Sequence, residues 1–148
     1  MKGASAWRIA VAVVVFALQF GGLSFVINEL WLGPEHEVYT FWRPEDDFRL
    51  VPGLGITTLL WSATIVLSYQ FFGERLNIQN NFLHGATYGV LVYLFFVFFQ
   101  ELYYYQFIAF DWIITAGAQL HYLLAFGVGC GLVGVLLRPA LRDPEPKP

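Results

Sequence analysis

Residues 86–110 run almost without a break through Leu, Val, Phe and Tyr, and they carry one charged side chain, Glu101. At roughly 1.5 Å of rise per helical residue, a run of that length matches the hydrocarbon core of a bilayer. It is therefore expected to form a transmembrane helix, and the rest of the chain is expected to organise around it. A carboxylate within such a run is costly unless it is neutral, paired or facing a wet cavity, so Glu101 is the first candidate functional residue. Tyr103, Tyr104 and Tyr105 follow directly. Aromatics of that kind mark the headgroup level, which puts Glu101 about one turn beneath it.

Three further apolar runs accompany this one. The expected spans are residues 8–30, 53–72, 86–108 and 112–137. With 148 residues, 57% hydrophobic and 13% charged, the composition lies far from that of a soluble domain, about 25% of whose residues are charged. The fold class that follows is all-α, a four-helix transmembrane bundle forming a single domain. The first run is too long for the apolar core of a secretory signal and reads as a retained helix. Lys2, Arg8, Arg75, Arg138, Arg142 and Lys147 fall on one side of such a bundle and only Arg43 and Arg49 on the other. The excess of basic residues predicts both termini in the cytoplasm.

The connection over residues 32–52 mixes five acids with aromatics and with Pro34, Pro44 and Pro52. It is expected to fold back over the outer membrane surface, a lid being the sharper form of that reading. Residues 139–148 carry too much proline and charge to fold and are expected to be disordered. A net charge of −3 without any Lys/Arg block speaks against nucleic acid as a partner. The single Cys130 permits no intrachain disulfide and is expected to fill a packing gap. No CxxCH, HExxH or clustered carboxylate spacing occurs, so no catalytic set and no metal site is predicted.

The candidate ligand-binding residues are Glu29, Trp61, Glu101, Tyr105 and His121. Glu29 and Glu101 close the first and third spans within similar sequences, Asn28-Glu29-Leu30-Trp31 and Gln100-Glu101-Leu102-Tyr103, a faint internal repeat. If those spans are neighbours, the two carboxylates hold a proton or a cation between them. Tyr105, four residues beyond Glu101, is placed to donate to it. Trp61 falls deep in the second span and is expected to face the bundle or a pocket, where its N–H finds an acceptor. The hydroxyls of that span, Thr57, Thr58, Ser62, Thr64 and Ser68, bond back to their own helix and serve packing.

His121 lies about nine residues into the last span, near the bilayer midplane. A structural hydrogen bond to a second-span hydroxyl or to Trp61 is the leading reading. Axial ligation of a tetrapyrrole is the one cofactor chemistry left open, and no cofactor is predicted. Gly127, Gly131 and Gly134 form an i, i+4, i+7 stripe on a different face from His121. It predicts tight helix packing within the chain or with another subunit, and with His121 facing the bundle the glycines are expected to face a neighbour.

Glu29-Leu30-Trp31-Leu32-Gly33-Pro34 after the first span, and Ala118-Gln119-Leu120-His121-Tyr122 before the glycine-rich end of the last, resemble small bacterial four-helix membrane proteins of the DUF1761 type. The resemblance implies a four-helix membrane fold in a bacterial inner membrane and implies no activity. The acidic loop departs from the compact connection expected of that group. The function these readings predict is a non-catalytic small polytopic membrane protein, an accessory subunit or binding bundle. Its partners would be membrane lipids and a membrane complex or a second copy. The alternative is a small transporter or ligand-binding bundle with an outward-facing polar and aromatic cavity.

Overall fold

The computed structural model describes residues 4–27, 50–100, 102 and 112–142. Every element among them is helical: α1 (Ala6–Ile27), α2 (Leu50–Phe72), a short 3-10 turn (Gly73–Arg75), α3 (Asn81–Val92) continuing into a π-helical turn (Tyr93–Phe98), and α4 (Trp112–Arg142). Four of these helical stretches are long and apolar enough to cross a membrane. The chain is thus an all-helical membrane protein.

Local chemistry accounts for the ends. The Ser5 carbonyl accepts the Ile9 N–H at 3.1 Å as α1 begins. Pro52 falls in the first turn of α2, where its missing N–H costs nothing because that donor would be unpaired anyway. After α2, the Leu76 N–H closes the 3-10 turn on the Gly73 carbonyl at 3.0 Å. Asn80 then caps α3, its side-chain oxygen accepting the Leu83 N–H at 3.0 Å. That cap satisfies one of the four donors a helix start leaves unpaired. The third span consequently begins at Asn81, five residues before the boundary at 86 expected from hydropathy. At the other end of the chain, α4 passes through Pro139 to Arg142. The disorder expected from residue 139 is corrected for residues 139–142, which continue the helix: in the last turn proline removes one ladder bond without ending it.

The helices run antiparallel in sequence, so the start of α1, the end of α2, the start of α3 and the end of α4 share one end of the bundle. The burial of the spans differs widely. The share of buried positions rises from 11% in α1 through 22% and 33% in α2 and α3 to 50% in α4. The centre of the bundle is therefore the fourth helix, not the third as its long apolar run suggested. Leu94, Phe95, Phe96 and Phe99 of the third span point outward. In a bilayer that is where the most apolar side chains are needed, since the lipid-facing surface has no other means of matching its solvent.

Small residues let the neighbours of α4 come close. A Cβ built on Gly85 would collide with the Cys130 carbonyl, one on Gly89 with the Phe126 carbonyl, and one on Gly134 with the Asn81 carbonyl. Backbones that approach this far gain dispersion contacts along the whole crossing, the main drive for helix association where lipid removes any hydrophobic one. Toward α1, Gly129 makes room for Phe16 and Gln19. The core between the helices is Phe16, Val66, Tyr69, Phe126, Cys130, Val133 and Leu137. Cys130 is fully enclosed there, filling space as its setting predicted.

Candidate functional site

The polar side chains within the spans gather in two tiers. Away from the arginine-bearing end, Ser24 of α1 donates its hydroxyl proton to the Phe20 carbonyl at 2.8 Å. The same oxygen shares a hydrogen bond with His121 Nε2, also at 2.8 Å. Phe20 and Tyr122 flank the ring, with centroids 5.6 and 4.9 Å away. In the same tier the Tyr93 hydroxyl donates to Gln119 Oε1 at 2.6 Å. The Gln119 amide nitrogen is buried without a hydrogen-bond partner.

Nearer the arginine-bearing end, Ser68 donates to the Ile65 carbonyl at 3.0 Å and shares a 2.7 Å hydrogen bond with the Tyr88 hydroxyl. Tyr69 shares another of 2.7 Å with His84 Nδ1. The Tyr69 and Tyr88 rings meet edge to face at 5.2 Å, so α2 and α3 are joined by one continuous aromatic and polar contact. Below it the buried Arg138 donates from Nη1 to the Gln79 and Asn80 carbonyls, each at 3.3 Å. A cation at the end of α4 complements that helix's dipole and ties it to the chain entering α3.

These tiers place some of the expected residues and correct others. His121 is buried and hydrogen-bonded as a structural histidine would be, but its partner is a hydroxyl of the first span, not of the second and not Trp61. A tetrapyrrole bound through Nε2 would have to displace Ser24. Trp61 is 47% exposed and rests one edge on Phe126, with centroids 6.3 Å apart. It was expected to face the bundle. It misses because the inward stripe of α2 is Ser62, Val66 and Tyr69, and neighbouring helical residues are turned by about 100°.

Ser62 and Thr64 bond back to the Thr58 and Leu60 carbonyls at 2.6 and 2.9 Å. Those two hydroxyls serve their own helix. Gly134 abuts α3, Gly131 receives the Phe82 ring and Gly127 meets only Val90, at 3.8 Å. The stripe therefore packs within the chain against α3, not against a neighbouring molecule, while His121 faces α1. Glu29, Glu101 and Tyr105 lie outside the described residues, as do residues 32–49 of the acidic loop and, of the repeat, residues 28–31, 101 and 103.

Two features went unread in the sequence. His84 falls in the connection between the spans expected at 53–72 and 86–108 but sits one turn inside α3, buried against Tyr69. The turn residues Asn80 and Asn81 concealed it, although an Asn before an apolar run is also a helix start. Gly85-x-x-x-Gly89 has the spacing that lets two membrane helices cross closely, and it forms the α3 half of the α3–α4 contact. Among the described residues no group of three His, Cys, Asp or Glu could hold a metal ion.

No family model, curated protein or solved structure matches this chain.

Proposed function

We propose that this protein is a non-catalytic integral membrane protein, an accessory subunit or binding bundle of a larger membrane assembly. We place it in a bacterial cytoplasmic membrane with both termini inside. One observation carries the reading: α1 is a full span with only Ala12 and Phe16 buried, while the polar side chains of the described spans are engaged chiefly with one another. The pairs Ser24–His121, Ser68–Tyr88, Tyr69–His84 and Tyr93–Gln119 fix the bundle's own geometry. The outer face of α1 is left for lipid or another helix. Gly21 and Gly22 lie on this helix with nothing within 4 Å of a Cβ added there, so they offer a second helix a close approach without altering the chain's own packing. The positions of Arg8, Arg75 and Arg138 at one end support the orientation.

The test is purification in mild detergent followed by mass spectrometry and an absorption spectrum. The expected result is a colourless complex with a stoichiometric partner or a second copy. Gly22→Leu should release that partner while leaving the bundle's thermal stability unchanged. A lone bundle, indifferent to Gly22→Leu, would sink the reading.

One observation favours the second reading, a ligand-binding or transport bundle. The unpartnered Gln119 amide is a donor available to a ligand's acceptor, in the half of the bundle whose flanking sequence carries Glu29, Glu101 and Tyr105. Saturable uptake by the purified bundle, lost in Gln119→Leu, would move the conclusion there.

A further inference from the structure

Where the first turn of α1 passes the last turns of α4, Trp7, Arg8, Val11, Val135 and Leu136 line a groove of about 350 Å³. Its rim faces outward: Trp7 is 75% exposed and Val135 46%. The floor is apolar, and the one charged residue among those lining the groove is Arg8. Arg8 also stands in the opening turn of α1, where backbone N–H groups lack helical acceptors and add partial positive charge. Trp7 beside it has the indole that favours the headgroup level. An occupant that matches all of this is amphipathic, with an anionic head and a flexible apolar chain.

We propose that this groove binds one anionic phospholipid. Its phosphate sits on Arg8, whose planar donors suit phosphate oxygens, and an acyl chain lies along Val11, Val135 and Leu136. The chain's own end is the competing occupant. Residues 143–148 supply Asp143 and Glu145 but only prolines besides charge. They match the guanidinium and leave the apolar floor uncovered, which a lipid does not.

The full-length protein in mild detergent, titrated in native mass spectrometry with phosphatidylglycerol and with phosphatidylcholine of the same acyl chains, tests this. The first phosphatidylglycerol should bind about fivefold more tightly than phosphatidylcholine, and Arg8→Gln should erase that preference, as expected for one basic side chain near the surface. Val135→Trp, which obstructs the groove from its rim and keeps the charge, should weaken both lipids alike. Arg75→Gln is the control: this arginine lies at the same end, over Phe72 at 5.9 Å, and its loss should change neither lipid. A wild-type preference in Arg8→Gln, or an equal loss in Arg75→Gln, would overturn the proposal by showing diffuse attraction. A chain ending at Arg142 that gains phosphatidylglycerol affinity would overturn it by making residues 143–148 the occupant.

Discussion

The two faces of α4 are built on different principles. Toward α3 it meets backbone with backbone, Gly85 and Gly89 lying on the Cys130 and Phe126 carbonyls and Gly134 on the Asn81 carbonyl. Toward α1 it meets rings and one hydrogen bond. Phe16 and Phe20 pack on Phe126 with centroids 6.2 and 6.1 Å away, and Ser24 holds His121. The first contact depends on the absence of side chains and tolerates no insertion. The second depends on side chains that can repack around a change. The α3–α4 hairpin is accordingly the rigid half of the molecule, and α1 is a helix added to it.

That contrast fails first, if it fails, at Gly85. Gly85→Leu must force the α3–α4 crossing apart, and overpacking against backbone of this kind should cost about 3 kcal/mol or more. Unfolding in a detergent titration would show the loss, and a near-wild-type midpoint would mean the helices are not in backbone contact. Arg138→Met comes next. It removes hydrogen bonds from a charged group to two carbonyls, for which about 2 kcal/mol is expected, in the same titration and on the same hairpin.

On the α1 side the effects should be smaller. Ser24→Ala removes one interhelical hydrogen bond, a type that contributes about 0.6 kcal/mol in membrane proteins; His121→Ala should cost more, because it also empties the space between Phe20 and Tyr122, and adding Ser24→Ala to it should deepen the loss no further. Additive losses would show that the pair does not act as a unit. Gly127→Ala should change stability by less than about 0.5 kcal/mol, since an added Cβ meets only Val90, at 3.8 Å. A loss at Gly127 as large as at Gly85 would erase the distinction between the glycines.

The number of spans was legible because bilayer thickness sets helix length, and four runs of the required apolarity leave few other arrangements. Which helix lies at the centre was not. Hydropathy does not separate lipid from protein interior when both are apolar, so the long Leu/Phe run of the third span drew attention to a surface that faces outward. The informative residues were the small ones: Gly129, Gly131 and Gly134 on α4, and Gly85 and Gly89 on α3. Of the candidate site, His121 was found as an intramembrane polar residue, but its partner Ser24 was not. Hydrogen-bond partners 97 positions apart depend on which spans are neighbours, and nothing in the local pattern of either span specifies that. His84 was missed for a simpler reason: Asn80 and Asn81 suit a turn and a helix cap equally well.

The π-helical turn at Tyr93–Phe98 opens where the Tyr93 N–H is shared between the Gly89 and Val90 carbonyls. Before it, the face toward α4 advances in fours, Gly85, Gly89, Tyr93, and in an ordinary helix such a row slips sideways by about 40° at each step. The widened turn takes that slippage back, so that Val97 is still buried. It behaves as a phase correction, keeping a row of fours in step with a straight neighbour. Because a π turn fits one residue more than an α turn into the same rotation, deleting Phe95 would close it to a regular helix and leave everything that follows, Gln100 included, at its present bearing toward α4, whereas the same deletion one turn earlier, in regular helix, would swing it by about 100°. One surplus residue is thus absorbed where it stands, and the far end of the span keeps its compass bearing.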